Sequence, residues 1–324
     1  MGGLLKDGEW ITQKEWEKGE DNSFERQESS FRETVRDDPD AKHTPSMDRY
    51  HLYVSYACPW AHRTLIVRAL NGMQQALPLS VVHPYMGDDG WSFDEEDEDV
   101  VGDELFGSDY LREIYLKADP DHTGRVTVPV LWDKEVGTIV NNESQEIIRM
   151  FNRGMRDLGE VSRQQMDLCP PELESDIDEA IEAIYEPINN GVYKCGFAGG
   201  QDAYEDAYGT LFEQLERWNE TLRTQRYVCG DRLTEADICL FTTLYRFDPV
   251  YYVHFKCNKH LISHYEHLSG FLRELYQMEA IGETCHLDHV KRHYYQSHEQ
   301  LNPKGIVPVG PAYDLSQPHG REGI

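Results

Sequence analysis

The chain has 324 residues, with 59 acidic side chains against 31 basic ones and a net charge of −28. That balance excludes a nucleic-acid binder, which needs a basic footprint, and no apolar run approaches the ~20 residues of a membrane span. The length allows two domains of ordinary size, and 39% hydrophobic content with 19 tyrosines and 6 tryptophans is globular in character. An acidic excess of this size, with arginine outnumbering lysine, suits a protein kept dispersed in high salt, where screening removes self-repulsion; an acidic cytosolic protein is the plainer reading. The seven cysteines are odd in number and have no framework spacing, so a reducing cytoplasm is expected. They do not pair at ligand spacing, so no metal is expected. The first residues lack an apolar signal core after a basic start, so no secretion signal is expected.

Residues 1–45 read as a polar, irregular N-terminal arm with Trp10, Trp16, Phe24 and Phe31 as anchors, its segment Phe24–Arg32 extended along the body. Leu52, Val54 and Tyr56 alternate as in a half-buried strand, and Leu65, Ile66, Ala69 and Leu70 then follow helical spacing. Cys58 stands where strand hands over to helix, with Pro59 suited to the first turn. A thiol there meets the free N–H groups and positive end of a helix, which favour the nucleophilic thiolate. A small buried residue closing a turn is the alternative. The residue three places on is Ala61, so a second thiol to resolve a mixed disulfide is absent locally. An external thiol, glutathione or a relative, would have to do it.

A second strand is expected at 79–84, a glycine-bounded loop around Trp91, an acidic solvated loop from Asp94 to Asp99, and a helix over 105–117. Trp91 is either a core plug or a flat surface for a peptide-like ligand. Gly124–Asp133 and Gly137–Asn142 read as a hairpin, with Pro129 at a strand start or edge. A cis Val128–Pro129 bond there would leave the Val128 backbone able to bind an extended peptide as an added strand. Glu143 and Ser144 open the next helix; they either cap it or hold the amino and carboxylate groups of a γ-glutamyl moiety. The order β-α-β-α-β-β-α ends near residue 155.

Beyond it the pattern is helical, over 177–188, 201–222, 235–245, 271–276 and 287–295. Thr234 and Asp237 match a helix cap, with Asp237 as a buried capping carboxylate. Tyr193, Tyr251 and Tyr294 sit in aromatic clusters that either fill the core or line a pocket for an aromatic substrate.

Together Cys58-Pro-Trp-Ala, Gly90-Trp91, Thr123-Gly-Arg-Val-Thr-Val-Pro-Val-Leu-Trp132, Asn142-Glu-Ser144, Asn189-Asn-Gly-Val-Tyr193, His254-Phe-Lys-Cys-Asn258 and His293-Tyr-Tyr resemble the Xi class of glutathione transferases, the glutathionyl-hydroquinone reductases. The resemblance runs over almost the whole chain. It implies a thioredoxin-like N-terminal domain (46–155, after the arm) and an all-helical C-terminal domain (156–324) that holds the hydroquinone, in a homodimer. It also implies that Cys58 takes the glutathionyl group from an S-glutathionyl-hydroquinone, and that glutathione is a co-substrate rather than a tightly bound cofactor. Trp91, Arg125, Val128, Glu143 and Ser144 would hold glutathione; Tyr193, Tyr251 and Tyr294 would bond the hydroquinone oxygens and supply a proton. Two alternatives stay open: an omega-like thioltransferase or dehydroascorbate reductase, and a non-catalytic thioredoxin-fold protein. The acidity leaves γ-glutamylcysteine open as the thiol.

Overall fold

Tyr50–Val54 (β3) is buried along its whole length and forms one of the two inner strands of a four-stranded sheet. A computed structural model describes residues 3–13, 19, 22–95, 97, 99–160 and 166–324. Trp16 and parts of the acidic run lie outside them. Two hairpin strands precede β3, Gly3–Lys6 (β1) and Glu9–Thr12 (β2), joined at Asp7 and Gly8, which both have positive φ. Asp-Gly favours a tight hairpin turn for that reason, so this part of the arm is ordered as a hairpin rather than irregular. β1 also pairs with the two residues Gly124–Arg125 (β5).

After β3 comes the helix Pro59–Leu70 (α1), and then Leu79–Val81 (β4), parallel to β3. The helix Leu111–Ala118 (α2) follows. Val130–Asp133 (β6) and Thr138–Asn141 (β7) form the expected hairpin, with β6 antiparallel to β3, so the sheet order is β4-β3-β6-β7. Ser144–Asn152 (α3) packs beside α1. The parallel β3–β4 pair requires the α1 crossover; the antiparallel pair needs only a short turn.

The helix expected from residue 105 begins only at Leu111. The Asp103 carboxylate accepts from the N–H groups of Leu105 (3.2 Å) and Ser108 (3.0 Å), and Gly107 has φ +63°. Those bonds hold 103–108 as a turn. Trp91 O then accepts from Leu111 N at 3.0 Å, tying the start of α2 to the Trp91 loop.

The C-terminal half is helical: Glu174–Ile184 (α4), Gly191–Gly196 (α5), Gln201–Thr221 (α6), Glu235–Arg246 (α7), the short Tyr252–His254 (α8), Glu266–Tyr276 (α9), Glu279–Gly282 (α10) and Leu287–Ser297 (α11). The helices expected at 177–188 and 271–276 are displaced. The first ends at residue 184 and widens into a π-helical turn, Tyr185–Asn189; a second such turn, Phe247–Tyr251, follows α7. Each contains a proline, Pro187 or Pro249, whose missing N–H and ring bulk break the i→i−4 ladder. α9 starts at Glu266, five residues early, because the Asn219 side chain accepts from the N–H groups of His267 and Leu268 and caps its first turn.

The chain clusters into two compact units. One comprises Met1–Glu15, Gln27–Met166 and His286–Ile306; the other comprises Trp16–Arg26, Asp167–Cys285 and Val307–Ile324. The core of the first is the sheet with α1 and α3, including Leu52, Val54, Ile66, Val130, Leu131 and Ile147. The second is centred on α7, all twelve residues of which are buried. Among the described residues, no helix is long and apolar enough to cross a membrane.

α7 begins with the cap read from sequence. Asp237 is fully buried, and its carboxylate accepts from Val228 N at 2.7 Å, Thr234 N at 2.8 Å and Thr234 Oγ1 at 2.9 Å. Replacing Asp237 by Ala strands two buried backbone N–H groups, each costing ~1–3 kcal/mol. Chemical denaturation should show a loss of at least ~2 kcal/mol; a change within experimental error would contradict this role. Burial pushes the Asp237 carboxyl from 3.8 up to about 7, against the opposing pull of its hydrogen bonds. Between those values the folded chain holds a proton that the unfolded chain has released. Wild-type stability should therefore fall as pH rises from about 4 to about 7 relative to non-titrating Asp237→Asn, and level off above. A widening advantage for the wild type over that range would contradict it.

Candidate active site

Cys58 is the residue before α1, with extended backbone (φ −74°, ψ 125°) and Pro59 in the first turn. Ser55 shapes the approach: its hydroxyl accepts from Ala57 N at 3.2 Å and its carbonyl from Cys58 N at 3.2 Å. The carbonyl of Cys58 accepts from His62 N at 3.0 Å, the first bond of the helix. The sulfur does not cap that first turn. Cys58 Sγ instead donates to Val128 O at 3.5 Å, across from the cis Val128–Pro129 bond. The cis bond read from sequence is present, and the structure brings Cys58 and Val128 together.

Glu143 and Ser144 form a second cluster at the start of α3. Glu143 occupies the cap position and accepts from Gln145 N at 3.3 Å, while Ser144 Oγ donates to its Oε1 at 3.4 Å. The other carboxylate oxygen accepts from Ser29 Oγ at 3.0 Å. Arg63, buried on α1, donates through Nη1 to Ser144 Oγ at 3.4 Å and lies over the Trp60 ring at 4.5 Å. α1 thus supplies both Cys58, at its start, and the guanidinium beside Ser144. Sequence reasoning missed Arg63 and Ser29. An arginine just before the apolar run Leu65, Ile66 and Val67, on the buried part of the helix, was the available signal for the first.

Trp91 is 6% exposed and stacks on His293 of α11 at 4.8 Å. His293 Nδ1 in turn meets Pro84 O at 2.9 Å, so the indole rests on a ring that is itself fixed. Arg125 lies half-buried on β5; its Nη2 donates to Gln13 Oε1 at 3.0 Å and its backbone N–H to Gln27 Oε1 at 3.1 Å.

The three tyrosines divide between the compact units. Tyr294, on α11, belongs to the first unit, is 1% exposed and meets His293 and His298 edge to face. Tyr193 and Tyr251 belong to the second, with ring centroids 6.1 Å apart and Phe255 against both. Tyr193 follows one π-helical turn and Tyr251 closes the other. Phe24 and Arg26 cover Tyr193: the Phe24 ring stands at 6.1 Å and the Arg26 guanidinium at 4.8 Å, with Arg26 Nε donating to Asn190 Oδ1 at 3.1 Å. Arg26 was a further residue that sequence reasoning did not single out.

Residues 57–153 match the glutathione S-transferase N-terminal domain family and residues 201–274 the corresponding C-terminal domain family. The chain is 50% identical over 326 residues to the Escherichia coli glutathionyl-hydroquinone reductase YqjG, covering 99% of this chain and 98% of the relative. A solved Xi-class glutathione transferase from Natrialba magadii superposes with a TM-score of 0.92 at 50% identity, over 98% of this chain and 96% of that one. The glutathione-bound structure of YqjG superposes with a TM-score of 0.89 at 48% identity, over 99% of both chains. The expected fold is therefore correct: a thioredoxin-like α/β domain with a mixed sheet, followed by a helical glutathione-transferase domain.

The seven cysteines differ in what they offer an electrophile. Cys169, Cys195, Cys239 and Cys257 are buried. Burial pushes the Cys229 thiol up to about 11 and the Cys285 thiol up to about 12, so both stay protonated near neutrality. Cys58 alone combines partial exposure with a helix start. A limiting amount of iodoacetamide at neutral pH should label Cys58 first, as read by peptide mass spectrometry, and Cys58→Ser should remove the fast phase. Faster labelling at Cys229 or Cys285 would contradict the assignment.

Proposed function

Because this chain belongs to the Xi class of glutathione transferases, we propose that it is a glutathionyl-hydroquinone reductase working through Cys58. The Cys58 thiolate attacks the sulfur of an S-glutathionyl-hydroquinone, forming an enzyme–glutathione disulfide as the sulfur–carbon bond breaks. The aromatic carbon leaves with the bonding pair and takes a proton. A second glutathione thiolate attacks the mixed disulfide, releasing oxidised glutathione and restoring Cys58. The observation that carries this reading is the place of Cys58 at the start of α1, 3.5 Å from Val128 O, with Ala61 where a dithiol enzyme would carry its second thiol.

In this reading the Val128 backbone pairs with the cysteinyl part of glutathione, Glu143 receives the γ-glutamyl ammonium, and Ser144 with the α3 N-terminus receives its carboxylate. Trp91 and Arg125 hold the rest of the peptide. Tyr193, Tyr251 and Tyr294 hydrogen-bond the hydroquinone oxygens, and one of them protonates the leaving carbon. Residues 46–155 are the thiol-binding domain and 156–324 carry the hydroquinone pocket. The protein works as a cytoplasmic homodimer.

Steady-state rates on two substrates test this assignment and separate it from an omega-like thioltransferase. Cys58→Ser should abolish release of hydroquinone from a glutathionyl-hydroquinone. Tyr193→Phe or Tyr251→Phe should lower kcat/KM on that conjugate by about tenfold or more, the worth of one hydrogen bond made in the transition state (~1–3 kcal/mol). Reduction of a small aliphatic mixed disulfide should hardly change. Equal losses on both substrates would assign the tyrosines to the fold, and disulfide reduction without activity on the conjugate would favour the thioltransferase.

The net charge of −28 motivates a finer reading, that the protein works in high salt with γ-glutamylcysteine as its thiol. A natural thiol without glycine makes no use of a cation at that end of the peptide, the position assigned above to Arg125. In high-salt buffer, γ-glutamylcysteine should then match glutathione in kcat/KM. A preference for glutathione above about tenfold, the worth of a lost charge-assisted bond, would rule this out.

A further inference from the structure

The acidic loop read from sequence as a solvated stretch carries a buried histidine against it. The loop is tied down at both ends: Ser92 O accepts from His83 N at 2.8 Å, and Val101 exchanges backbone bonds with Val81 on the edge strand β4 at 2.8 and 3.2 Å. Within it, Asp97 and Asp99 face His289, in the first turn of α11. His289 is 1% exposed, and among the described residues neither ring nitrogen has a partner at good hydrogen-bond length. Its Nε2 stands 3.5 Å from Asp97 Oδ1 and 3.7 Å from Asp99 Oδ2, beyond good hydrogen-bond length. The three donor atoms lie within 4.8 Å of one another.

The two histidine–carboxylate separations, 3.5 and 3.7 Å, are near those of ligands sharing an ion. Bonds of 2.0–2.2 Å in a tetrahedral shell put neighbouring donor atoms roughly 3.4 Å apart. Arg292 on the same helix as His289 pairs with Asp97 Oδ2 and reaches Asp288 at 3.3 Å. Arg292 holds one oxygen of Asp97, and the other, which accepts from Asp99 N at 3.3 Å, also lies toward His289; such outer contacts orient a ligating carboxylate. His286 and the Tyr56 ring flank the other sides, at ring centroid distances of 6.2 and 5.5 Å.

We propose that Asp97, Asp99 and His289 form a binding site for a divalent metal ion of the class taken by imidazole and carboxylate, distinct from the thiol site. Such an ion would satisfy the buried His289 and clip the acidic loop to α11, the helix that also carries His293 and Tyr294. The absence of cysteine pairs at ligand spacing does not bear on it, because no thiolate is used.

Mn²⁺ is the probe, since it prefers oxygen and nitrogen to the protein's thiols, in about 1 M KCl to screen diffuse binding to the acidic surface. Titration followed by electron paramagnetic resonance should show one saturable site per chain. Asp99→Asn and His289→Gln should each weaken it at least tenfold. Asp99 is exposed, so its variant should keep the metal-free melting temperature of the wild type. Mn²⁺ should raise that temperature in the wild type and not in Asp99→Asn. A titration with no saturable site, or a site that survives either substitution unchanged, would overturn the proposal.

Discussion

The candidate site of this chain hangs on one junction, the turn Ser55–Cys58 between an inner sheet strand and the helix that follows it. β3 cannot shift: it is fully buried and bonded to β4 on one side and β6 on the other. The Ser55 hydroxyl and carbonyl fix the two N–H groups before the helix, and the first helical bond starts from Cys58 itself. The sulfur's position is therefore set by the core rather than by a loop. The same strand order places Val128, just before β6, opposite the sulfur, because β6 is the antiparallel neighbour of β3. The Cys58 sulfur and the Val128 backbone beside it thus both follow from the strand order of one sheet.

Charge pairs hold that sheet at its other end. Asp133, fully buried at the end of β6, accepts from Arg49 Nε at 3.0 Å and Nη2 at 2.6 Å and meets His43 Nδ1 at 2.7 Å. Burial alone would raise the Asp133 carboxyl, but the hydrogen bonds from Arg49 and His43 hold it below its ordinary value. His43 continues to Glu33 at 2.7 Å, so the segment leading into β3 is fastened to the sheet by a chain of side-chain hydrogen bonds. A buried charge left without its partner is strongly destabilising, which makes this path for the chain specific. Removing Arg49 would leave Asp133 in that position.

Much of this was legible from local pattern. The switch from period two to period 3.6 around Pro59 marked the strand, the helix and Cys58 between them. The capping pair Thr234–Asp237 was visible because a cap is a short-range signal. What stayed hidden depends on distant partners. Asp103 bonds to the backbone of Leu105 and Ser108 and delays α2, though 105–110 has helical spacing. The prolines of the two π-helical turns gave a hint of breaks but not of their width. Arg63 beside Ser144, and Arg26 over Tyr193, join residues 81 and 167 positions apart, which periodicity cannot register. The family resemblance supplied the tyrosines, since an aromatic cluster on helices reads as core by itself.

The central claim is that sulfur passes through Cys58 as a disulfide with the thiol peptide. The direct measurement is intact-protein and peptide mass spectrometry after mixing the enzyme with one equivalent of a glutathionyl-hydroquinone, with no free thiol present. The account predicts one glutathionyl group on the peptide carrying Cys58, one equivalent of free hydroquinone, and loss of the adduct on adding glutathione. Hydroquinone released with Cys58 unmodified, or the glutathionyl group found on another cysteine, would contradict it.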